Sequence, residues 1–297
     1  MNRAGQRIAE HAPAKINLFL HVGDKRPDKF HELESLVVFS EFGDTLTFED
    51  AADLALSVTG AFGRYVPPGE DNLIFRAARL LSDGKAGLGA AMTLEKNIPV
   101  AAGVGGGSAD AAAALRGLNA LWGLGHSENA LAALGAQLGS DVPACVLSRS
   151  CWMAGRGERI AEVPSLPRIA MVLVNPGIAV PTGPVFASLN ARTGTGAIAP
   201  PQRPIESLWE LVRYLDSSEN DLEAPACAIA PIIDDVLGAI AHEPGCVMAQ
   251  MSGSGATCFG LFDGEDYAKG AADRIARDHN DWWAVATHIS GCVIGNR

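Results

Sequence analysis

Pro99-Val100-Ala101-Ala102-Gly103-Val104-Gly105-Gly106-Gly107-Ser108-Ala109-Asp110, followed by Ala111-Ala112-Ala113-Ala114-Leu115, is the stretch on which the reading of this chain turns. A glycine-rich loop runs straight into a strongly helical segment. Glycine admits positive φ and lets a ligand approach the main chain. The first amides of a helix lack internal acceptors, and the helix dipole favours negative charge there. The combination is a phosphate cradle, which points to a nucleotide or another phosphorylated ligand. The other reading, a plain glycine turn, stays open for a lone cluster. There is no Gly-Lys-Ser/Thr, so the loop is not a Walker A motif. A Gly-x-Gly-x-x-Gly pattern begun at Gly103 meets Ser108 where its third glycine belongs, and Pro99 interrupts the strand that a dinucleotide fold would run into the loop.

Outward from the loop, strand and helix patterns alternate. Ala12 to Val22 alternates as one strand, with Ile16, Leu18 and Leu20 on one face and Lys15, Asn17, Phe19 and His21 on the other. Gly23 to Lys29 reads as a polar turn. Leu33 to Phe42, Asp44 to Phe48, Leu54 to Val58 and Met92 to Lys96 read as further strands. Asn72 to Leu81 reads as a helix. In the helix after the loop, Ala111, Leu115, Leu118 and Trp122 form one stripe, with Ser108 in the N-cap position. Ser127 caps a helix Glu128 to Leu138 that Gly139 ends, and Asp141 caps the next, with Pro143 in its first turn. Beyond, Cys151 to Ala154, Ala170 to Asn175 and Thr257 to Phe262 read as strands. Ile205 to Leu215 and Ala230 to Ala241 read as helices, and Thr193 to Pro204 as an exposed loop. The mixed order implies an α+β protein of two domains, 1–163 and 164–297, divided near Ala161 to Arg168.

The 297 residues suffice for two cores, and 48% hydrophobic against 19% charged residues is a globular composition. A net charge of -11 with no Lys/Arg cluster argues against a nucleic-acid partner. No apolar run reaches the length of a membrane span, and the first twelve residues lack the apolar core of a secretory signal, so a cytoplasmic protein is expected. Cys145, Cys151, Cys227, Cys246, Cys258 and Cys292 form no Cys-x-x-Cys pair and read as reduced thiols; no His/Cys metal cluster is expected.

Several side chains allow two readings each. Lys15 is either a snorkelling lysine or a cation beside a reacting hydroxyl or phosphoryl group. Asp141 is a helix cap, a proton acceptor, or both. His31 reads as a surface histidine or a ligand contact, and Phe30 as core or a stacking platform. Ser252-Gly253-Ser254-Gly255 reads as a hairpin turn or a binding loop.

Together and in this order, Pro13-Ala14-Lys15-Ile16-Asn17-Leu18, Pro99 to Ala114 and Ser252 to Ala256 resemble the three motifs of the GHMP kinase superfamily. Arg26-Pro27-Asp28-Lys29-Phe30-His31, Leu138-Gly139-Ser140-Asp141-Val142-Pro143 and Asn220-Asp221-Leu222-Glu223 extend the resemblance over essentially the whole chain. It implies an S5-like N-terminal domain, a ferredoxin-like C-terminal domain and an active site in the cleft between them. The implied reaction moves the γ-phosphoryl group of ATP, with Mg²⁺, onto the 2-hydroxyl of 4-diphosphocytidyl-2-C-methyl-D-erythritol, in non-mevalonate isoprenoid precursor biosynthesis. Asp141 would be the general base and Lys15 its electrostatic partner. Pro99 to Ala109 would hold ATP, with Asn72 on the adenine side and Lys96 nearby. Phe30, His31 and Phe186, downstream of Thr182, would grip the cytidine. Asn17 with Gly253, Ser254 and Gly255 would line the erythritol and diphosphate site. A monomer or weak homodimer is expected, with no membrane partner. The family usually has Gly-Tyr-His at Lys29-Phe30-His31 and a second serine at Ala109; with a lysine in place of the glycine, a positive φ in that turn is not to be assumed. Three rival readings remain: a GHMP kinase for mevalonate or homoserine, a nucleotide-binding sensor without catalysis, and an NAD-dependent oxidoreductase, the last disfavoured by the missing third glycine.

Overall fold

The computed structural model describes residues 7–83, 87–189, 194, 196 and 198–290. Cys292 and some of the Thr193 to Pro204 loop lie outside the described residues. The chain gathers into two compact units, each discontinuous in sequence. The first takes the chain up to Ala14, then Gly43–Val100 and Gly105–Ser148. The second takes Lys15–Phe42, Ala101–Val104 and the chain from Arg149.

Strand β1 is Arg7–Asn17, β2 His21–Lys25 and β3 His31–Glu49. The expected single strand over 12–22 is therefore two. It breaks because Leu20 turns to the segment at Asn220: Leu20 N–H donates to the Glu219 carbonyl (3.0 Å) and Asp221 N–H to the Leu20 carbonyl (2.9 Å). Both its faces are buried. The expected strands on either side of Gly43 are one 19-residue strand. Gly43 is there for close packing rather than a turn, since a Cβ would lie 2.4 Å from the Ala12 carbonyl oxygen. The turn after β2 begins later than expected, because β2 runs on to Lys25 and pairs with His31.

In the first unit, Thr45 to Glu49 of β3 pairs antiparallel with β5 (Ala90–Glu95), which pairs in parallel with β4 (Leu54–Thr59). Parallel neighbours need a crossover, and this one contains α1 (Leu73–Ser82). Helices α2 (Gly106–Trp122), α3 (Glu128–Gly135) and α4 (Val142–Leu147) complete the unit. Ala109 to Leu115 of α2 are buried without a break, so the alanine run reflects a helix enclosed on several sides rather than one with a single stripe. Gly117 admits the ring of Phe48, which would lie 2.2 Å from a Cβ. Helix α3 stops at Gly135, three residues short of the expected end, in tightening turns through Leu138.

In the second unit, β2 and β3 form a hairpin, and Leu33 to Val37 of β3 pairs with β6 (Cys151–Gly155), itself paired with β7 (Arg159–Glu162). A separate four-stranded antiparallel sheet follows. Its strands are β8 (Ala170–Asn175), β9 (Cys246–Met251), β10 (Cys258–Phe262) and β11 (Trp283–His288), in the order β11-β8-β10-β9. Helices α5 (Thr182–Ala187), α6 (Leu208–Leu215), α7 (Glu223–Ile229) and α8 (Ile232–Ala241) precede β9, and α9 (Glu265–Asp278) lies between β10 and β11. With α8 and α9 as its two crossovers, this is the β-α-β-β-α-β ferredoxin-like arrangement. Val172 and Val174 of β8, Ile233, Val236 and Ile240 of α8, and Ala268, Ala271 and Ile275 of α9 fill its core. Among the described residues no helix is long and apolar enough to cross a membrane.

Candidate active site

Within the glycine-rich loop, Ala101–Val104 belong to the second unit, and the residues before and after them to the first. These four residues lie with the end of β1. Lys15 N–H donates to the Val104 carbonyl (2.9 Å), and Thr257 N–H donates to the Ala102 carbonyl (3.2 Å). Their backbone lies against the turn between β9 and β10. A Cβ on Gly103 would sit 2.3 Å from the Gly255 carbonyl oxygen, and one on Gly253 would sit 2.6 Å from that of Gly103. Gly103 (φ +78°), Gly253 (φ +58°) and Gly255 (φ +85°) also occupy the left-handed region. Both glycine clusters are thus needed for one close backbone approach.

Lys15 and Asn17 project to the same side of β1, as their spacing predicts. Both are buried. Lys15 Nζ donates to Asn17 Oδ1 (3.2 Å), Asn17 Nδ2 to Ser35 Oγ (2.7 Å), and Ser35 Oγ to the Phe19 carbonyl (2.6 Å). Asn17 N–H donates to Ser252 Oγ (3.1 Å), which carries the chain of bonds to the second glycine turn. Thr182 Oγ1 and Ser254 Oγ are 2.9 Å apart, bringing α5 to the tip of that turn.

Asn220, which sequence reasoning placed in a motif without giving it a role, holds this turn in position. Its Nδ2 donates to the carbonyls of Met251 and Gly253 (both 2.8 Å), and its Oδ1 accepts from Leu222 N–H (3.0 Å). Glu223 Oε2 accepts from Met251 N–H (2.8 Å), and Asp221 Oδ2 from Val22 N–H (2.6 Å). The motif is a set of brackets between α7, the second glycine turn and β2.

His31 and Phe186 stack, with ring centroids 5.6 Å apart and planes inclined by 28°. His31 Nδ1 lies 3.1 Å from the Gly23 carbonyl; the hydrogen bond places a proton on Nδ1 and leaves Nε2 as the acceptor of the neutral ring. Phe30 is 51% exposed, an open aromatic face covered on one side by the Arg156 guanidinium 5.2 Å from its centroid. Lys29 has φ +73°, so the turn keeps a positive φ without a glycine. The Arg26-to-Phe30 turn closes through Arg26 N–H to the Phe30 carbonyl (2.7 Å) and Lys29 N–H to the Arg26 carbonyl (3.0 Å), and it imposes that backbone whatever the side chain.

The second half of the loop opens α2 in the first unit. Gly105 (φ +64°) is the N-cap, and the first helical bond runs from Ala109 N–H to the Gly105 carbonyl (2.8 Å). The amides of Gly106, Gly107 and Ser108 precede it and have no acceptor within the helix. Ser108 therefore stands inside the first turn, not at the cap; a glycine can adopt the left-handed cap conformation that a serine N-cap does not use. Ala109 is buried.

Asn72 is the N-cap of α1: its Oδ1 accepts from Ile74 N–H (2.9 Å) and its Nδ2 donates to the Pro67 carbonyl (3.1 Å). The adjacent Leu73 borders the loop, with Cδ1 3.6 Å from where a Cβ on Gly107 would be. Lys96 is buried, with Nζ 2.6 Å from Asp44 Oδ2 and 2.7 Å from Asp110 Oδ2. Burial opposes its charge, but Asp110 and Asp44 outweigh burial and leave its pKa above the ordinary lysine value.

Asp141 stands at the N-cap position of α4, but its carboxylate makes no capping bond; its backbone is helical (φ -85°, ψ -19°), and only its carbonyl serves the helix, accepting from Cys145 N–H (3.1 Å). The far end of this short helix is held by Arg116 of α2, a residue that sequence reasoning did not single out. Arg116 donates to the carbonyls of Cys145 (2.9 Å) and His11 (2.7 Å) and to Glu10 Oε2 (2.8 Å). A lone arginine within a helix pattern carried no signal of that role.

This geometry has counterparts among known proteins. Residues 72–149 match the family model of the GHMP kinases N terminal domain, and residues 204–281 that of the GHMP kinases C terminal. The chain is 47% identical over 287 residues to a 4-diphosphocytidyl-2-C-methyl-D-erythritol kinase of Parvibaculum lavamentivorans, covering 96% of this chain and 99% of that one. It superposes on a crystal structure of a 4-(cytidine 5'-diphospho)-2C-methyl-D-erythritol kinase with a TM-score of 0.77 at 34% identity, covering 96% of this chain and all of that one. Homoserine kinase from Cytophaga hutchinsonii gives a TM-score of 0.66 at 15% identity, covering 98% of this chain and 97% of that one, which is a likeness of fold alone.

Proposed function

The chain belongs to the GHMP kinases, among the 4-diphosphocytidyl-2-C-methyl-D-erythritol kinases, and from that membership we propose that its Asp141, Lys15 and paired glycine turns carry the reaction. The reaction itself is ATP-dependent phosphorylation of 4-diphosphocytidyl-2-C-methyl-D-erythritol on the path to isoprenoid precursors.

Phosphoryl transfer asks a protein mainly for positioning and charge stabilisation. The observation that carries the proposal is the opening of α2. Gly106, Gly107 and Ser108 present three successive amides without helical acceptors, at the end of a loop whose glycines leave the main chain uncovered. These donors suit phosphate oxygens and not a cation, so Mg²⁺ would arrive with the nucleotide, held by phosphate oxygens and water and offsetting their charge. Asn72, at the cap of α1 beside the loop, would stand on the adenine side of the nucleotide, with Lys96 nearby behind the loop.

An alcohol is a weak nucleophile at neutral pH. Asp141, whose carboxylate is not used as a cap, would take the proton of the 2-hydroxyl as the new P–O bond forms. Lys15 would supply positive charge against the developing oxyanion, its ammonium aimed by Asn17. The stacked His31 and Phe186, with the open face of Phe30, suit a pyrimidine: rings for its faces, Nε2 for its edge. The family matches at 72–149 and 204–281 fall on either side of residue 163, which supports an ATP-binding domain over residues 1–163 and a substrate domain over residues 164–297.

The test is ATP-dependent turnover, with Mg²⁺, of four alcohols: 4-diphosphocytidyl-2-C-methyl-D-erythritol, the erythritol phosphate lacking its cytidylyl group, mevalonate and homoserine. Turnover of the first alone is expected. Asp141→Asn should keep ATP binding and lose on the order of 10²–10⁴ in kcat, the usual contribution of a general base. Near-normal kcat in that variant would remove Asp141 from the role.

A further inference from the structure

Lys96 follows β5 directly and leads through Asn97 and Ile98 into the glycine-rich loop. Asp44, on β3, uses both carboxylate oxygens. Its Oδ2 takes Lys96 Nζ, and its Oδ1 accepts the amides of Asn97 (2.6 Å) and Ile98 (2.8 Å). Asp110, on α2, uses one: Oδ2 takes Lys96 Nζ, while Oδ1 is buried without a hydrogen-bond partner. Two carboxylates therefore share one ammonium, and the buried cluster carries one negative charge in excess. Such a charge is costly away from water, and neighbouring carboxylates resist ionising together.

The excess falls on Asp110, since Asp44 has two amides to stabilise its charge and Asp110 has none. Burial, and then the charge of Asp44, push Asp110 up to about 7 in spite of Lys96. The charged groups that govern it are thus Lys96 from the end of β5 and Asp44 from β3. Arg76 and Arg79 on α1, Glu128 on α3 and Asp141 at α4, the elements packed on α2, are not among its main influences. The cluster also lies directly against the open end of α2. A Cβ on Gly106 would be 3.1 Å from Lys96 Nζ.

Resting on the reading of this loop as the ATP site, we propose that Asp110 is a positioning residue that, with Lys96 and Asp44, sets the charge behind the phosphate loop and takes up a proton from solvent when nucleotide phosphates bind. The incoming phosphates raise the cost of a negative charge just behind the amides that hold them. A proton on Asp110 removes that charge and leaves Lys96 and Asp44 as a neutral pair, still bonded to the amides of Asn97 and Ile98. Binding then raises the proton affinity of Asp110. Uptake is confined to the pH window from near its free value upward, and it fades once both free and bound forms are ionised.

Titration calorimetry with Mg²⁺ and a non-hydrolysable ATP analogue, near pH 7.5 in buffers of different ionisation enthalpy, counts the protons exchanged on binding. The analogue's own protons appear alike in every variant. The wild type should take up more protons than Asp110→Asn, with binding retained in both. Asp44→Asn, which removes the excess charge from the other side, should also lose the uptake. In the wild type the uptake should fade on raising the pH by about two units. Equal proton counts in wild type and variants, or an uptake indifferent to pH, would overturn the proposal. Absence of any binding heat in the wild type would instead remove the reading of the loop on which it rests, and the proposal with it.

Discussion

Replacing Asn220 tests whether the second glycine turn is held in place from outside or is stable by itself. The buried amide makes three bonds: two donated to the carbonyls of Met251 and Gly253 at 2.8 Å, and one accepted from Leu222 N–H at 3.0 Å. A net hydrogen bond contributes about 1 kcal/mol, so Asn220→Ala should cost about 3 kcal/mol, with the stranded carbonyls included in that figure. Asn220→Asp keeps the shape and the bond from Leu222. It also turns a carboxylate oxygen, with no proton to give, towards two carbonyl oxygens. It should therefore be at least as damaging as alanine near neutral pH and recover some of the loss in acid, where one oxygen is protonated. Urea denaturation of the two variants at two pH values measures this directly. Because Gly253 packs on Gly103, both variants should also raise KM for the alcohol and for ATP. An Asn220→Asp protein as stable as the wild type, or clearly more stable than Asn220→Ala at neutral pH, would refute the bracket.

Lys29 sits at φ +73°, where a side chain costs about 1–2 kcal/mol. Lys29→Gly should raise stability in a thermal melt, by less than about 1 kcal/mol once the flexibility of glycine in the unfolded chain is counted, while Lys29→Ala should not. Arg116→Met strands the carbonyls of Cys145 and His11 and the Glu10 carboxylate. It should cost about 2–3 kcal/mol in denaturation and lower kcat more than it raises KM for ATP, because α4 carries Asp141 at its other end. His21 is fully buried with neither ring nitrogen bonded, and burial lowers its pKa, against the pull of Asp221, Glu34 and Glu219. The unfolded chain then binds more protons, so the neutral ring's contribution to stability is complete above the ordinary histidine value of 6.5 and is lost as pH falls through the folded value. His21→Phe should remove that share of the acid sensitivity, which melts across pH 5 to 8 would show.

What was legible in the sequence, and what was not, follows from how far each interaction reaches along the chain. The junction from the loop into α2 is local, because glycines and alanines mark a turn and a helix within a few residues of each other, so the loop was visible at once, although the cap is Gly105 and not Ser108. The side on which Lys15 and Asn17 project was visible for the same reason, since period two is a property of the strand itself. Gly43 misled because a glycine that ends a strand and one that lets two backbones touch are the same letter; only Ala12, 31 residues earlier, distinguishes them. The backbone at Lys29 stayed open because the residue does not fix φ there; the closure of the turn does. Asp44 looked like one more polar residue beside that glycine. Its meaning lies 52 residues away at Lys96, and through Lys96 at Asp110, and no periodicity joins the three. Asn220 likewise acts 31 and 33 residues downstream, on carbonyls that carry no side-chain signal at all. The groups that would meet the reacting molecules stand in short motifs with their own spacing. The groups that aim them are buried polar residues whose partners are set by the fold, so a residue such as Asp110 becomes distinctive only when its neighbours are counted and one charge is found to have no counterpart.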